Sequence, residues 1–310
     1  MKNEHSSDMY KITPTLLGVA RVRRQTGFTL VEMVMVMVIT GIIGGMVAMF
    51  LKAPVQQYQD IARRAELTDI ADTALYHLTG DISTAVPNSI RVLGCGATPC
   101  VEFLPTKDGG RYRALVDLSS GSAVGDILDF AASAPADSSF DIIGGLPISF
   151  AAGDAIVVGS TQSSGNPPYD TTAANSGVLR AVTASGVNSV TFTATQFPST
   201  AALPSRRFDV VDGVQQAVTY ACEGTLGTLD ARGNGQAKLV RHWGYGFKPT
   251  QVAPSLLGVP SAILANNVSA CAIDYIAANQ RMGLLGVRLT LTSGGESVSL
   301  YNEIHVSNVP

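Results

Sequence analysis

The chain has 310 residues, of which 46% are apolar and only 15% are charged, and its formal net charge is −3. This composition suits a packed core in one domain or two small lobes beside a helix, and an acidic chain has no general electrostatic footprint for nucleic acid. The cysteine count of four is even, which permits disulfides if the domain lies outside the cytoplasm.

An apolar run occupies residues 28–51, and Glu32 is its only charged side chain. At about 1.5 Å per residue, a helix of this length spans the ~30 Å hydrocarbon core of a membrane. Three basic residues precede the run: Arg21, Arg23 and Arg24. They predict that this side stays in the cytoplasm and that the following chain is exported. A plain membrane anchor is the alternative, but a carboxylate inside the run is costly in lipid and usually marks function.

The hexapeptide Gly27-Phe28-Thr29-Leu30-Val31-Glu32 resembles the processing motif of type IV prepilins and type II secretion pseudopilins. The resemblance implies cleavage after Gly27 and N-methylation of Phe28 by a prepilin peptidase/N-methyltransferase. Glycine at the cut lets the backbone extend into a protease cleft. Glu32 can then neutralise the new Phe28 amine on its own or a neighbouring helix. Two unit charges ~4 Å apart attract by roughly 4 kcal/mol at an effective dielectric near 20.

These features predict four parts along the chain. Residues 1–27 form a leader that is removed, and either Met1 or Met9 starts it. Residues 28–52 form the membrane and filament-core helix, residues 53–86 continue it as an amphipathic helix, and residues 87–310 form a β-rich head. The resemblance implies a single-pass inner-membrane protein with a periplasmic head, which later enters a cell-surface pilus or pseudopilus and contacts membrane lipid through its helix.

Three glycines interrupt the apolar run: Gly41, Gly44 and Gly45. A spacing of four between the first and last lets helices approach closely, although membrane helices also tolerate glycine without such a role. The resemblance implies that this segment unwinds locally when subunits pack. Pilins often have proline at the twenty-second mature residue. Met49 stands there in this chain and the next proline is Pro54, so the position of any loosening stays open.

After the membrane segment, apolar residues recur every three or four positions, which is the period of an α-helix. This pattern predicts an amphipathic helix whose apolar face packs on the head. The positions are Val55, Tyr58, Ala62, Ala65, Ala71, Leu75, Leu78 and Ile82. Asp60 and Arg64 are spaced for an ion pair, and Pro87 with Asn88 predicts the helix end. A membrane-surface helix is the alternative, but the stretch is not notably basic.

After Pro87 the pattern predicts strands, and the fold class is α+β: a long N-terminal helix followed by an antiparallel sheet. Residues 217–222 and 237–243 read as an antiparallel pair with a long turn over 226–236, and Ser293-Gly294-Gly295-Glu296 reads as a short hairpin loop. The predicted strands are short, rich in β-branched residues and bounded by turn residues. They are residues 89–93, 101–104, 127–130, 155–158, 189–195, 208–211, 217–222, 237–243, 270–276, 286–292 and 297–306.

Three further stretches resemble minor prepilins of the mannose-sensitive haemagglutinin (MSHA) pilus system. They are LTGDISTAVPNSIRV at 78–92, DGGRYR at 108–113 and the run from residue 286 to 310. This resemblance implies a structural subunit that takes part in pilus assembly or initiation near the tip. Its partners would be other minor and major pilins and the inner-membrane assembly platform. A type II secretion pseudopilin at the pseudopilus tip and a tip adhesin are the alternatives.

Four cysteines permit three disulfide pairings. Cys95 and Cys100 enclose a tight loop with Gly and Pro, which suits a local bridge, whereas Cys222 and Cys271 lie on predicted strands and would staple distant parts of the head. Metal binding by cysteine is the alternative, but the spacing from Cys95 to Cys100 is at the edge of the usual range.

An enzyme is not expected, and neither are a catalytic residue, a metal or a cofactor. The histidines at positions 5, 77, 242 and 305 fall in no known catalytic motif, and the chain has no nucleophile elbow, zinc-protease motif or Walker loop. A calcium or glycan site in the head stays open. Trp243, Tyr245 and Phe247 group near a loop, which favours core packing over ligand binding.

Overall fold

The computed structural model describes residues 27–92, 95–131, 136–144, 149–161, 167–170, 177–253, 258–277 and 281–310. The chain divides into two compact units, and the boundary along the chain lies between Gln57 and Tyr58. The expected leader falls outside the described residues except for Gly27.

The helix α1 runs from Leu30 to Ser83, is 54 residues long and contains Pro54. In the first unit the side chains of residues 30–52 are exposed. Within the described residues, α1 is the one helix that is long and apolar enough to cross a membrane. An apolar surface on every side of a helix is stable only against lipid or other helices. The exposed surface of residues 30–51 therefore suits an apolar environment on every side of the helix.

The C-terminal end of α1 lies at Ser83, three residues before the expected boundary. Thr84 and Ala85 donate backbone hydrogen bonds to the carbonyls of Asp81 and Ile82, in a tighter turn than the α-helix. Helical geometry is also disfavoured for a residue that precedes proline, here the residue before Pro87.

In the second unit one face of α1 is buried on the head, through Leu67, Ala71, Ala74, Leu75, Leu78 and Ile82. The first half of the predicted stripe is not buried, since Val55 and Tyr58 are exposed. The expected ion pair between Asp60 and Arg64 is not formed. Asp60 instead pairs with Arg63 at 3.5 Å, because Glu296 at a hairpin tip comes within 2.6 Å of the Arg64 Nε.

The described head contains twelve strands joined in antiparallel ladders. They are β1 (Cys100–Phe103), β2 (Thr106–Arg111), β3 (Ser139–Asp141), β4 (Ala155–Val158), β5 (Leu179–Ser185), β6 (Ser189–Phe192), β7 (Arg207–Val211), β8 (Val218–Leu229), β9 (Gly235–Trp243), β10 (Ser261–Ile276), β11 (Met282–Ser293) and β12 (Glu296–Ser307).

The strands form two six-stranded sheets, not one. Sheet A has the order β1-β8-β9-β10-β11-β12, and sheet B has the order β2-β7-β4-β5-β6-β3. All strands of sheet B lie between β1 and β8 in the chain. Because Phe103 at the end of β1 is paired with Val218 at the start of β8, the inserted lobe, residues 104–217, leaves and rejoins sheet A at one place.

Sheet A carries the main core against α1, with Tyr220, Val287, Leu289 and Leu291 among the buried residues. Within sheet B the strand β4 is buried on both faces, which explains its unbroken apolar sequence. Alternate β4 residues enter two clusters: Ala155 and Val157 face Leu104 and Tyr245, whereas Ile156 and Val158 face an aromatic cluster that includes Phe140 and Phe208.

The α+β class and the antiparallel pairing are confirmed, and most predicted strands lie within a few residues of the observed ones. Two predicted strands are wrong: residues 127–130 are irregular, and of residues 89–93 only Arg91 forms a bridge, to Glu102, while residue 93 is not described. The sequence also missed β2, β3 and β5. The turn of the β8–β9 pair covers only residues 230–234, and the β11–β12 turn is Gly294-Gly295, as predicted.

Candidate processing and assembly site

The helix start places the predicted cleavage site outside regular structure. Residues 27–29 precede α1, and the first helical residue is Leu30. A Cβ built on Gly27 would have no atom within 4 Å, and Phe28 is 82% exposed. Among the described residues, the peptide bond between Gly27 and Phe28 therefore lies outside regular structure and is accessible, as a bond must be to enter a protease cleft.

Thr29 caps the helix. Its carbonyl accepts a backbone hydrogen bond from Met33 at 3.1 Å, and its Oγ1 accepts one from the backbone N–H of Glu32 at 3.3 Å. The four N–H groups at the start of a helix have no partner within the helix, so this side-chain bond satisfies one of them. Thr29 was missed as a functional residue, although the spacing Thr-x-x-Glu is the sequence signal of a capping box.

Glu32 therefore lies in the first turn of α1. A carboxylate at a helix N-terminus interacts favourably with the helix dipole, by about 0.3–1 kcal/mol at an exposed position. An amine freed on Phe28 would lie at the same end of the helix with the opposite charge. Cleavage after Gly27 would thus place a cation beside the Glu32 carboxylate, at the N-terminal end of a largely apolar helical surface.

The three glycines of the membrane segment lie within α1. A Cβ built on Gly41, Gly44 or Gly45 would meet no atom within 4 Å. Among the described residues nothing packs on these glycines, so close approach of a second helix and local unwinding stay predictions.

Comparison with known proteins bears on this end of the chain. Residues 22–48 match the model of the prokaryotic N-terminal methylation motif. The chain carries a prepilin-type signal. The signal supports a protein of the type IV pilin and pseudopilin kind, a structural subunit rather than an enzyme, processed by a prepilin peptidase and assembled with other pilins. No curated protein and no solved structure matches the chain.

The prepilin-type signal and the apolar helix fit membrane anchoring with an extracellular head, and that head contains two disulfides. Cys95 is joined to Cys100, and Cys222 to Cys271, which are the two expected pairs. The first bridge closes a surface loop, and the second links β8 to β10.

The histidines and aromatic residues noted in the sequence lie in different surroundings. His242 is buried and lies 2.8 Å from Glu223 through its Nε2, whereas His77 and His305 are exposed. Tyr245 and Phe247 contribute to the cluster beneath sheet B. His5 lies outside the described residues. Among the residues that the structure describes, no group of three His, Cys, Asp or Glu side chains is placed to hold a metal ion.

A buried polar cluster braces the inserted lobe against sheet A. Arg91 donates to Glu102 at 2.7 Å, and the hydroxyl of Tyr245 donates to the same carboxylate at 3.0 Å. The Arg91 guanidinium also lies 3.6 Å from the ring centre of Tyr169 and donates to the carbonyl of Lys248. Burial raises the pKa of the Glu102 carboxyl, and Arg91 opposes that rise. Because these groups satisfy one another, the cluster acts as a structural junction.

One cavity of about 310 Å³ lies in the head, among the described residues Thr161, Leu203, Pro204, Ser205, Arg281, Asn308, Val309 and Pro310. This lining contains no aspartate or glutamate side chain, whereas calcium sites are usually built with carboxylate oxygens. The cavity therefore gives no support to a calcium site.

Proposed function

We propose that this protein is a minor pilin of a type IV pilus of the MSHA type, similar to MshO, and a subunit that takes part in assembly or initiation near the tip. It is inserted as a prepilin, cut after Gly27, methylated on Phe28 and packed by α1 into the filament. The observation that carries the proposal is the prepilin-type signal at residues 22–48, which includes the exposed apolar start of the long helix α1.

Glu32 supplies the driving force for docking in register. A lone carboxylate costs ~2.5–3.5 kcal/mol or more inside the bilayer. Pairing with a Phe28 amine on an adjacent subunit recovers roughly 4 kcal/mol at an effective dielectric near 20. The isolated membrane-bound subunit is therefore penalised, and the correctly packed subunit is not.

The partners that follow are the prepilin peptidase/N-methyltransferase, other minor and major pilins, the inner-membrane assembly platform and lipid. The head would fold in the periplasm and reach the cell surface with the pilus. Gly41, Gly44 and Gly45 would allow neighbouring helices to approach in the filament core.

Processing and docking are tested in one strain that expresses the partner pilins. Mass spectrometry of the extracted protein should find N-methyl-Phe28 as the first residue. Glu32→Val should be processed normally but recovered with partner pilins at least tenfold less efficiently, because the docking charge is gone. Met46→Val, an apolar exchange in the same helix, is the matched control and should copurify as the wild type does.

Three results would count against the proposal. An intact leader in cells with active peptidase would exclude prepilin processing. Normal copurification of Glu32→Val would show that Glu32 is not the docking group. An effect of that variant on cleavage alone would place Glu32 in peptidase recognition.

A surface-binding role is the second candidate, and the inserted lobe favours it. Sheet B adds a complete second core to the helix-and-sheet plan. The lobe also exposes Leu118 and Val124 on a loop closed by the backbone pair Asp117 and Val124, and Leu115 just before that loop. Several exposed apolar side chains close together in the chain mark contact with another molecule more often than an isolated exposed residue does.

A further inference from the structure

The last strand, β12, forms an open edge of sheet A. It is 12 residues long, is paired with β11 without a register shift and is the last strand in the sheet order. The opposite edge is different: β1 has four buried residues, and Arg91 exchanges backbone hydrogen bonds of 2.9 Å with Glu102 on its outer side. In the described part of the chain, β12 is thus the long and regular edge that lacks a cover.

The register shows which backbone groups of β12 face outward. Asn308, just beyond the strand, donates its N–H to the carbonyl of Arg281 in the same β11–β12 register. Hydrogen-bonded and non-hydrogen-bonded positions alternate along an antiparallel pair. The even-numbered residues of β12 therefore bond to β11, and the N–H and C=O groups of the odd-numbered ones point away from it. These are Ser297, Ser299, Tyr301, Glu303, His305 and Ser307.

Protection against edge pairing is weak here. Natural edge strands usually carry lysines, a proline, a bulge or a covering segment. Within Glu296–Ser307 there is no lysine or proline, and the pairing shows no bulge. The odd-numbered residues from Ser297 to Ser307, whose backbone groups face outward, all have exposed side chains. The even-numbered residues between them are half-buried or buried.

The side chains of the strand define the chemistry of an added strand. Towards α1, Val298 and Leu300 are only partly buried, so apolar side chains of an added strand would extend the core there. On the other face, Glu303 accepts a hydrogen bond from the Tyr301 hydroxyl at 2.8 Å. Asp274 on β10 and Glu303 on β12 are both paired with Gly286 of β11, one on each side of it. Arg288 lies on the same face, opposite Tyr301 on β11 and 5.4 Å from the centre of its ring. Glu303 itself lies on the edge strand, so a lysine or arginine beside it on the added strand could pair with its carboxylate.

We propose that β12 takes up an extended strand from another pilin subunit, in which apolar residues face α1 and a basic residue lies beside Glu303. This rests on the proposed assembly function and adds a contact between heads to the contact between helices. An added strand forms hydrogen bonds with the outward-facing N–H and C=O groups of the odd-numbered residues, and its alternate side chains give specificity.

Neither β12 nor β2 of a second copy of this chain supplies both features. Its own β12, ESVSLYNEIHVS, has no lysine or arginine to place beside Glu303. Its β2, the exposed end of sheet B, has the sequence TKDGGR and no apolar side chain to place beside Val298 and Leu300. The partner is therefore a different subunit.

Photo-crosslinking in the full-length, membrane-anchored protein tests the proposal. A benzophenone amino acid at Tyr301, which is 55% exposed, should give an adduct with another pilin of the same system. The same probe at Val187, exposed on the inserted lobe, should not give that adduct. Mass spectrometry identifies the partner and its contacting segment.

Ser299→Pro adds a test of the backbone. It removes an N–H that faces the open edge and leaves the backbone bonds to β11 in place, so the Tyr301 adduct should fall at least tenfold. The hydrogen bond from the Thr290 hydroxyl to the Ser299 hydroxyl is lost in the proline variant and in the alanine control alike. Ser299→Ala keeps the N–H and should retain the adduct. Formation of the Cys222–Cys271 bridge reports that the head is folded. If the proline variant misfolds, Ser297→Lys with Ser299→Lys replaces it, because lysines at an edge oppose strand addition.

The outcomes separate this proposal from the assembly function. An adduct with a second copy or with a protein that is not a pilin overturns it, as does an unchanged adduct in folded Ser299→Pro. Copurification of the wild type with pilins but no Tyr301 adduct overturns the edge contact alone. Absence of both N-methyl-Phe28 and copurification would mean that the assembly function itself has failed.

Discussion

At the scale of single residues, Thr29 determines where α1 begins and so how the cleavage site is presented. Its Oγ1 satisfies the amide of Glu32, and loss of such a cap costs ~1 kcal/mol. We expect Thr29→Val to raise the hydrogen-exchange rate of the Glu32 amide about fivefold, since ~1.4 kcal/mol corresponds to a factor of ten.

Thr40 provides the matched control for this exchange measurement. Its hydroxyl donates to the carbonyl of Val36 inside the helix, at 2.6 Å, and caps no N–H group. Thr40→Val should therefore leave the Glu32 amide unchanged. Equal exchange rates at Glu32 in the Thr29→Val variant and the wild type would show that the threonine does not hold the first turn.

Asp209 makes stability depend on pH. It lies on β7 between Gly109 and Val157, and burial raises its carboxyl pKa from 3.8 to about 6, against a smaller opposing effect of Arg207. The folded protein thus holds a proton that the unfolded chain has lost between about pH 4 and pH 6. Stability from this group is complete below that window and falls as pH rises through it, by roughly 1–3 kcal/mol.

Asp209→Asn should remove that fall and raise the midpoint of thermal unfolding at pH 7. Asp108→Asn, an exposed exchange on the neighbouring strand, is the control and should keep the wild-type pH profile. Melting curves at pH 4, 5, 6 and 7 compare the variants. If the melting temperature of Asp209→Asn changed between pH 4 and pH 6 by the same amount as that of the wild type and of Asp108→Asn, the assignment to Asp209 would be wrong.

At the scale of elements, the two disulfides should differ in their contribution to stability. In the chain-entropy model a cross-link stabilises by restricting the unfolded chain, more for longer loops. The sequence separations are 5 for Cys95–Cys100 and 49 for Cys222–Cys271. These give about 2 kcal/mol and about 4 kcal/mol respectively.

Denaturant unfolding of the two double serine variants tests this order. The variant without Cys222 and Cys271 should lose about twice as much free energy of unfolding as the variant without Cys95 and Cys100. Loss of equal amounts, or the reverse order, would show that contacts of the bridges and not loop length decide their contribution.

Elements with a strong local pattern could be predicted from the sequence. The apolar run and the helical period gave α1, and β4 was predicted at its observed position because its four apolar residues are bounded by loops. The strand β2 could not be predicted, because TKDGGR has a polar, glycine-rich sequence that is held as a strand by pairing with β7. The predicted ion pair between Arg64 and Asp60 was wrong because it considered only neighbours within the helix, whereas the partner of Arg64 is Glu296 on a distant hairpin.

At the scale of the whole molecule, the division into two sheets depends on contacts between distant parts of the chain. No local pattern in residues 104–217 indicates that β2 to β7 pair among themselves while β1 pairs with β8. The prepilin-type signal is different, because residue types at fixed spacing carry its chemistry. Gly27, Phe28 and Glu32 could therefore be selected from sequence, whereas the open edge of β12 required the strand order.

The insertion leads to a last prediction, which separates assembly from surface binding. Phe103 and Val218 are paired neighbours, so an Asn-Gly turn can replace residues 104–217 and close β1 and β8 as a hairpin. The shortened head keeps the core between α1 and sheet A. It exposes Val86 and Tyr245, which now pack in the cluster beneath sheet B, at a cost of roughly 1.5–3 kcal/mol for each large side chain.

We therefore expect the shortened protein to melt at a lower temperature but to be processed, to form the Cys222–Cys271 bridge and to copurify with partner pilins. Cells that carry it should form pili yet lose attachment to surfaces that the wild type binds. The variant with Leu115→Ser and Leu118→Ser, which keeps the lobe and alters only its exposed apolar residues, should show the same loss of attachment with a normal melting temperature.

Normal attachment by both variants would exclude the lobe as a binding module. Loss of copurification by the shortened protein with its bridge intact would instead make the lobe part of the assembly contact, and failure to form the bridge would show that sheet A needs the lobe to fold.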